Sequence, residues 1–241
     1  MNRCLSIVSA SLLTVLACAT LLLAAPPNQN AQTKTATAKK PAATKAPEVP
    51  AVSTATITVN GVTDIDPTKA FGSKTAPIVV EIYSDFQCPA CKQLFLNTTQ
   101  KVMDNYVNTG KVYLVHRDFP LPMHAYSRVA ASYSRAAAHI GKCETVEMVL
   151  FQNQEKWEKN GDVKGIVAGV LSPAEMKKVQ AIVDAKTLEP MIEKDKQAGM
   201  TLPVTQTPTS VFHAKGQNYP FAGTLSYDVL KDFLDQLIAQ K

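Results

Sequence analysis

Pro77-Ile78-Val79-Val80-Glu81-Ile82-Tyr83-Ser84-Asp85-Phe86-Gln87-Cys88-Pro89-Ala90-Cys91 is the stretch on which the reading of this chain turns. Its first half is an apolar, β-branched run, the pattern of a strand buried on both faces. Pro89 suits the first turn of a helix, because its missing N–H is one that a helix start leaves unpaired anyway. The run therefore predicts a buried strand that passes through a short polar turn into a helix. That puts Cys88 at the helix N-terminus, where unpaired N–H groups and the macrodipole favour a thiolate. Cys91, one turn on, is near enough to close a small disulfide and is the more covered. Cys88 is expected to attack and to carry a mixed disulfide, Cys91 to resolve it, with Pro89 and Ala90 forming the loop between them. A C-x-x-C can also hold a metal, but structural zinc takes four ligands. No second C-x-x-C occurs, and the nearest histidine, His116, has no paired ligand in sequence. No metal site and no cofactor are expected.

Glu81 interrupts the apolar strand. A buried carboxylate is costly unless used or paired. Its functional reading is a proton acceptor and donor for Cys91, with a pKa raised by desolvation. The bland reading is a Glu on the exposed face of an edge strand.

Outward from this stretch, the helix opened by Cys88 carries Leu94, Phe95, Val102, Met103, Tyr106 and Val107 and stops at Gly110. Lys111 to Arg117 reads as the next strand, ended by Pro120 and Pro122. Upstream, Thr56 to Val59 is a short strand before the turn Asn60-Gly61. Ala125 to about Lys196 is helical in pattern, and Ser172-Pro173-Ala174-Glu175 has the form of a capping box. Ser210–His213 and Gln217–Phe221 form a strand pair around Lys215-Gly216. A last helix from about Tyr227 carries Val229, Leu230, Phe233, Leu234, Leu237 and Ile238 on one stripe. Strand–helix–strand, helical insertion, hairpin and helix imply an α/β fold, a central mixed β-sheet of four or five strands flanked by helices.

The rest of the chain is different. Asn2-Arg3 and the uncharged, largely apolar Leu5–Ala25 form an export signal or a membrane anchor. Small residues Ala24 and Ala25 follow large ones, so the cleavage site is poor. Val15-Leu16-Ala17-Cys18 loosely resembles a lipoprotein box, which makes lipidation at Cys18 a third reading. Each reading places the domain outside the cytoplasm. Residues 26–55, rich in Pro, Ala, Thr and Lys, read as a disordered linker that tethers a domain of residues 56–241, with the helical insertion at about 125–196. Five of the 25 basic residues (Arg3, Lys34, Lys39, Lys40, Lys45) and one of the 20 acidic ones (Glu48) precede residue 56, which leaves 20 and 19 for the domain. A domain so nearly neutral does not suit a nucleic-acid binder. Of the remaining cysteines, Cys4 and Cys18 lie in the N-terminal stretch, and Cys143 reads as a small buried apolar residue ahead of a third redox thiol. His124 reads as a loop residue and Trp157 as packing for the helical insertion.

Ser84-Asp85-Phe86-Gln87-Cys88-Pro89-Ala90-Cys91-Lys92, Tyr106-Val107-Asn108-Thr109-Gly110-Lys111-Val112 and His116-Arg117-Asp118-Phe119-Pro120-Leu121-Pro122-Met123-His124 together resemble the DsbA-like branch of the thioredoxin superfamily. Thr207-Pro208-Thr209 and Phe221-Ala222-Gly223 fit the same pattern. The resemblance covers about residues 65–241. It implies a thioredoxin-like fold with an inserted helical subdomain, export to the periplasm, and disulfide exchange with the cysteine thiols of protein substrates. It also implies a redox partner that reoxidises or reduces the pair, and a cis peptide before Pro208. Thr207 and Pro208 would then bind a substrate segment, and Glu81 would match the family's buried acid. Pro89-Ala90 lacks the histidine of the strongly oxidising Pro-His form, so oxidising strength is open. The expected activity is that of an oxidase. A reductase or isomerase of the same fold is the near rival, and a non-catalytic metal-binding module the distant one. Isomerases generally carry an N-terminal dimerisation domain, for which residues 26–55 have too few apolar side chains.

Overall fold

A computed structural model describes residues 51–240. The expected signal or anchor at 1–25, with Cys18, lies outside the described residues, as does the expected linker except for its last five residues. Those five have no regular structure, and Val52 among them is half-buried against the apolar cluster of the helical layer.

The apolar run Ile78–Ser84 is β4, the central strand, buried at every position but the last. It pairs in parallel with β5 (Val112–Asp118), in register from Ile78 opposite Val112 to Ser84 opposite Asp118. On its other side it pairs antiparallel with β6 (Thr209–Ala214), which continues through the Lys215-Gly216 turn into β7 (Gln217–Ala222). The two-residue β3 (Ala70–Phe71) caps the far edge, which gives the order β3-β5-β4-β6-β7. A separate hairpin joins β1 (Ile57–Val59) to β2 (Val62–Ile65). Strands as short as β2 and β3 leave no periodicity to read, and the sequence reading contains neither.

Alternation along β4 sends successive side chains to opposite faces. Ile78, Val80 and Ile82 pack with Val112, Leu114 and Phe212 beneath the helix that Cys88 opens. That helix is a continuous run over residues 89–107: α1 (Pro89–Leu94), the short α2 (Gln100–Val102), and a π-turn after each, Phe95–Thr99 and Met103–Val107. The C-terminal helix α9 (Tyr227–Ala239) covers the same face through Leu230, Leu234 and Leu237. Val79, Tyr113 and Val115 point the other way, onto Val59, Val62 and Ile65 of the hairpin.

Six helices follow β5: α3 (Ser127–Ala138), α4 (Cys143–Gln152), α5 (Gln154–Trp157), α6 (Val163–Ala168), α7 (Pro173–Ala185) and α8 (Glu189–Thr201). The Ser172/Glu175 capping box forms as its spacing implies. The helices share an apolar cluster centred on Val146, Leu150, Trp157, Val163, Val179 and Ile192, and Trp157 is fully buried there. Phe86, Cys88, Cys91 and Phe95 belong to this same cluster. The cysteine pair therefore sits at the seam between sheet and helical layer. At the other end of the insertion, a Cβ on Gly199 would meet the Phe119 ring at 2.8 Å, so α8 can approach the sheet there only without a side chain.

Candidate active site

Cys88 is the N-cap of α1 in extended conformation and Pro89 is the first helical residue. Both Cys88 and Cys91 are free thiols, 7% and 1% exposed, while Pro89 is exposed and Ala90 half-buried. The two thiols are opposite in character. Hydrogen bonding from the Cys91 thiol, followed by donors at Cys91, Thr207 and Ala90, outweighs burial and lowers the Cys88 pKa to about 5. Burial and the charge of Cys88 push the Cys91 thiol well above the ordinary range. The Asp85 backbone N–H donates to Cys91 Sγ at 3.4 Å.

The Thr207–Pro208 peptide is cis, and Cys88 Sγ lies 3.3 Å from the Thr207 carbonyl oxygen. The loop before Pro208 is thus brought against the nucleophile from 119 residues away. Pro208 is buried, and its carbonyl accepts from Gly223 N–H at 2.7 Å.

Side chains outside the motif hold the cysteine loop. Gln154 of the helical layer donates through Nε2 to the carbonyls of Phe86 and Cys88, at 2.7 and 3.2 Å. Gln87 donates to the Glu158 carbonyl. Fully buried Asp85 accepts from Gln87 and Leu121 N–H groups and bonds His124 Nδ1 at 2.9 Å. His124 therefore braces the loop after β5 against the cysteine turn. Nothing in the sequence marks Gln154, since a glutamine in a helical pattern is unremarkable until its partner is known.

The structure corrects the reading of Glu81. Its side chain lies on the sheet face away from the cysteine helix, where Arg117 approaches at 2.6 Å and His213 Nε2 at 2.8 Å. Burial would raise its pKa, but the hydrogen bonds and charges of His213 and Arg117 bring it below the ordinary value, not above it. The physical reason is strand parity. Glu81 is an odd neighbour of Ile82, the residue that reaches the cysteine side, and one step along a strand reverses the face.

Two acids line a cavity together with Cys91: Glu147, from α4, and Asp118, from β5. This cavity, of about 20 Å³, is walled mostly by Ile82, Phe86, Leu94, Phe95 and Phe151, with Lys69 and His116 also at its border. Glu147 Oε1 accepts from Lys69 Nζ at 2.6 Å and from Ser134 Oγ at 3.0 Å, while Oε2 bonds His116 Nδ1. Burial alone would raise the Glu147 pKa, yet His116 and Lys69 hold it far below the ordinary carboxylate range. Cys143 is buried against the same carboxylate, 3.5 Å from Oε1, and burial pushes its thiol well up. That describes a protonated, packed thiol. Among the described residues, no group of three or more His, Cys, Asp or Glu side chains converges in a metal-holding arrangement. No helix among them is long and apolar enough to cross a membrane.

Known proteins repeat this architecture. Residues 64–236 match the family model described as thioredoxin, Thioredoxin_4. The chain is 24% identical over 147 residues to a probable disulfide bond formation protein D of Bacillus cereus, covering 58% of this chain and 68% of that protein. The counterpart in Bacillus anthracis is 23% identical over 177 residues, covering 70% and 77%. Among solved structures, alpha-DsbA1 of Wolbachia pipientis superposes with a TM-score of 0.60 at 21% identity, covering 70% of this chain and 89% of that one. Oxidised BdbD of Bacillus subtilis superposes at 0.58 and 21% identity, covering 70% and 92%. With the match spanning most of its length and the sheet, cysteine turn and helical layer in place, this chain belongs to the thioredoxin family and has the fold of its DsbA-like members.

Proposed function

We propose that the protein is an extracytoplasmic thiol–disulfide oxidoreductase that donates the Cys88–Cys91 disulfide to protein dithiols. The observation that supports this most is the split between the two thiols: Cys88 lowered to about 5, Cys91 raised. A substrate thiolate attacks Cys88 Sγ, the Cys88–Cys91 bond breaks, and Cys91 leaves with the electron pair and takes a proton. A second substrate thiolate then attacks the substrate sulfur of the mixed disulfide and Cys88 leaves as a thiolate. The substrate ends oxidised by two electrons and the pair reduced. A leaving group of low pKa speeds the second step and stabilises the reduced protein, which makes the pair an oxidant. The names of the Bacillus relatives agree with that direction.

In this reading Thr207 and Pro208 offer backbone to an extended substrate segment beside Cys88. Pro89 and Ala90 form the accessible rim of the pair. The uncharged stretch at 5–25 exports the domain or tethers it, and a separate redox partner reoxidises Cys88–Cys91.

The test is the reduction potential of the pair, by equilibration in glutathione buffers. A value near about −120 mV supports the oxidase, and one near about −270 mV makes the protein a reductase. A pair with no redox response overturns the enzyme reading in favour of a binding module.

A further inference from the structure

A short stretch of the helical layer, residues 154–158, reaches the cysteine turn and its helix at three points. Gln154 Nε2 donates to the carbonyls of Phe86 and Cys88 at 2.7 and 3.2 Å. Glu155 pairs with Lys92 Nζ at 2.6 Å, and the Glu158 carbonyl accepts from Gln87 Nε2 at 2.9 Å. Resting on the exchange reaction proposed above, we infer that Gln154 is a positioning residue for it: by holding the Phe86 and Cys88 carbonyls, it ties the cysteine turn to the helical layer and shifts the balance of the pair toward the dithiol.

The orientation of the amide follows from its partners. Both are carbonyl oxygens, which only accept, so the nitrogen of Gln154 must face them. Gln154 is 2% exposed, and bulk water has no access to take its place. The Cys88 carbonyl has a second donor, the Lys92 N–H at 3.1 Å. For the Phe86 carbonyl, Gln154 is the one donor among the described residues. Cys88 is thereby held on both sides of its Cα, since its own N–H donates to the Asp85 carbonyl at 3.1 Å. The amide is in turn held from behind. Trp157, in the same helix α5 and fully buried, donates its indole N–H to the Leu150 carbonyl at 2.9 Å. From the other side, Gln87 Oε1 accepts from the Tyr126 N–H.

The consequence is electrostatic. Two carbonyl oxygens, each the negative end of a peptide dipole, converge on one point beside the residue whose sulfur is charged in the dithiol form. A buried carbonyl left unpaired keeps its partial charge in surroundings that screen it poorly. Cys88 carries no charge in the disulfide, so a donor that offsets these carbonyls stabilises the dithiol form more than the disulfide. A pair whose reduced form is stabilised is the stronger oxidant. The motif itself lacks such a donor at this point: Pro89 has no N–H, and Ala90 has no polar side chain. The bonds of Gln154 are to backbone oxygens, so it acts on the sulfur through the turn that carries it.

The experiment equilibrates the full chain with glutathione buffers and reads the dithiol–disulfide constant, with the ultraviolet thiolate titration of Cys88 alongside. Gln154→Met keeps the length of the side chain and removes the donor. It should shift the constant about tenfold toward the disulfide, the worth of roughly one hydrogen bond, or about 30 mV for a two-electron couple. The thiolate midpoint should move up from about 5. Gln154→Lys, which returns a donor and adds a positive charge, should move both readouts the other way. A merely structural role would lower the denaturant midpoints of oxidised and reduced protein together, whereas here Gln154→Met should cost the reduced form more. A folded Gln154→Met variant with the wild-type constant and titration overturns the inference, and so does equal destabilisation of the two forms. If neither variant folds, the wild-type protein decides. Its Gln154 side-chain amide resonances should differ between disulfide and dithiol forms, and identical resonances overturn the inference. A wild-type pair that never equilibrates with glutathione overturns the exchange reading itself, and this inference with it.

Discussion

The two faces of the central sheet each bury a glutamate beside a histidine, and they use it differently. On the far face, Glu81 is closed into Arg117 and His213, and Arg117 also bonds Asp195 and the Thr63 and Asp64 carbonyls of β2. The group binds hairpin, sheet and α8 together and lines a pocket of about 720 Å³ on that face. On the cysteine face, Glu147 holds His116 and Lys69, and the ensemble borders a small cavity that Cys91 also lines. The far-face group joins elements of the fold, while the near-face group stands next to the reactive pair.

Breaking the two faces separately should show this. The largest effect expected is from Cys88→Ser, which leaves Cys91 no partner: dithiol oxidation should disappear, and an insulin- or peptide-thiol oxidation assay with residual turnover would refute the roles given to the pair. Next is Glu81→Ala. Leaving Arg117 buried without one of its carboxylates should cost about 3–5 kcal/mol, read in the denaturant midpoint, with exchange by the folded fraction intact. A variant that unfolds normally but exchanges slowly would return Glu81 to the reaction. Gly199→Ala, on the same face, places a methyl 2.8 Å from Phe119 and should cost about 1–3 kcal/mol as overpacking does, again without loss of exchange.

A pH series sharpens the contrast further. The Cys88 pKa is lowered in the folded protein, so its contribution to the stability of the reduced form is complete above the ordinary thiol value of 9.0. It is lost as pH falls through about 5. The unfolded chain binds the extra proton across that window, so reduced protein should lose stability on acidification relative to oxidised protein, which has no such thiol. Paired thermal melts of the two forms check the sign. The smallest effect expected is none: in Glu81→Gln, the ultraviolet thiolate titration should keep its midpoint near 5, because that side chain lies behind the sheet.

Much of this molecule is legible one residue at a time. The β-branched run before Cys88 forms the central strand, Pro89 starts the helix, Ser172 and Glu175 close their box, and Lys215-Gly216 turns the hairpin. These depend on backbone preference and short spacing, and the chain carries both locally. The acidity of Cys88 is legible in part for the same reason, since a helix N-terminus is a local feature.

Tertiary structure decided what depends on distance. Whether Glu81 faces the cysteines is a question of parity and packing, and a carboxylate in an apolar run looks the same for either face. Glu147 and Lys69 are 78 residues apart, and Thr207 and Cys88 are 119 apart. Such contacts exist only once the helical layer has docked on the sheet and excluded water. Burial is what makes a buried charge expensive and therefore binds it to a partner, and burial is a property of the folded chain as a whole.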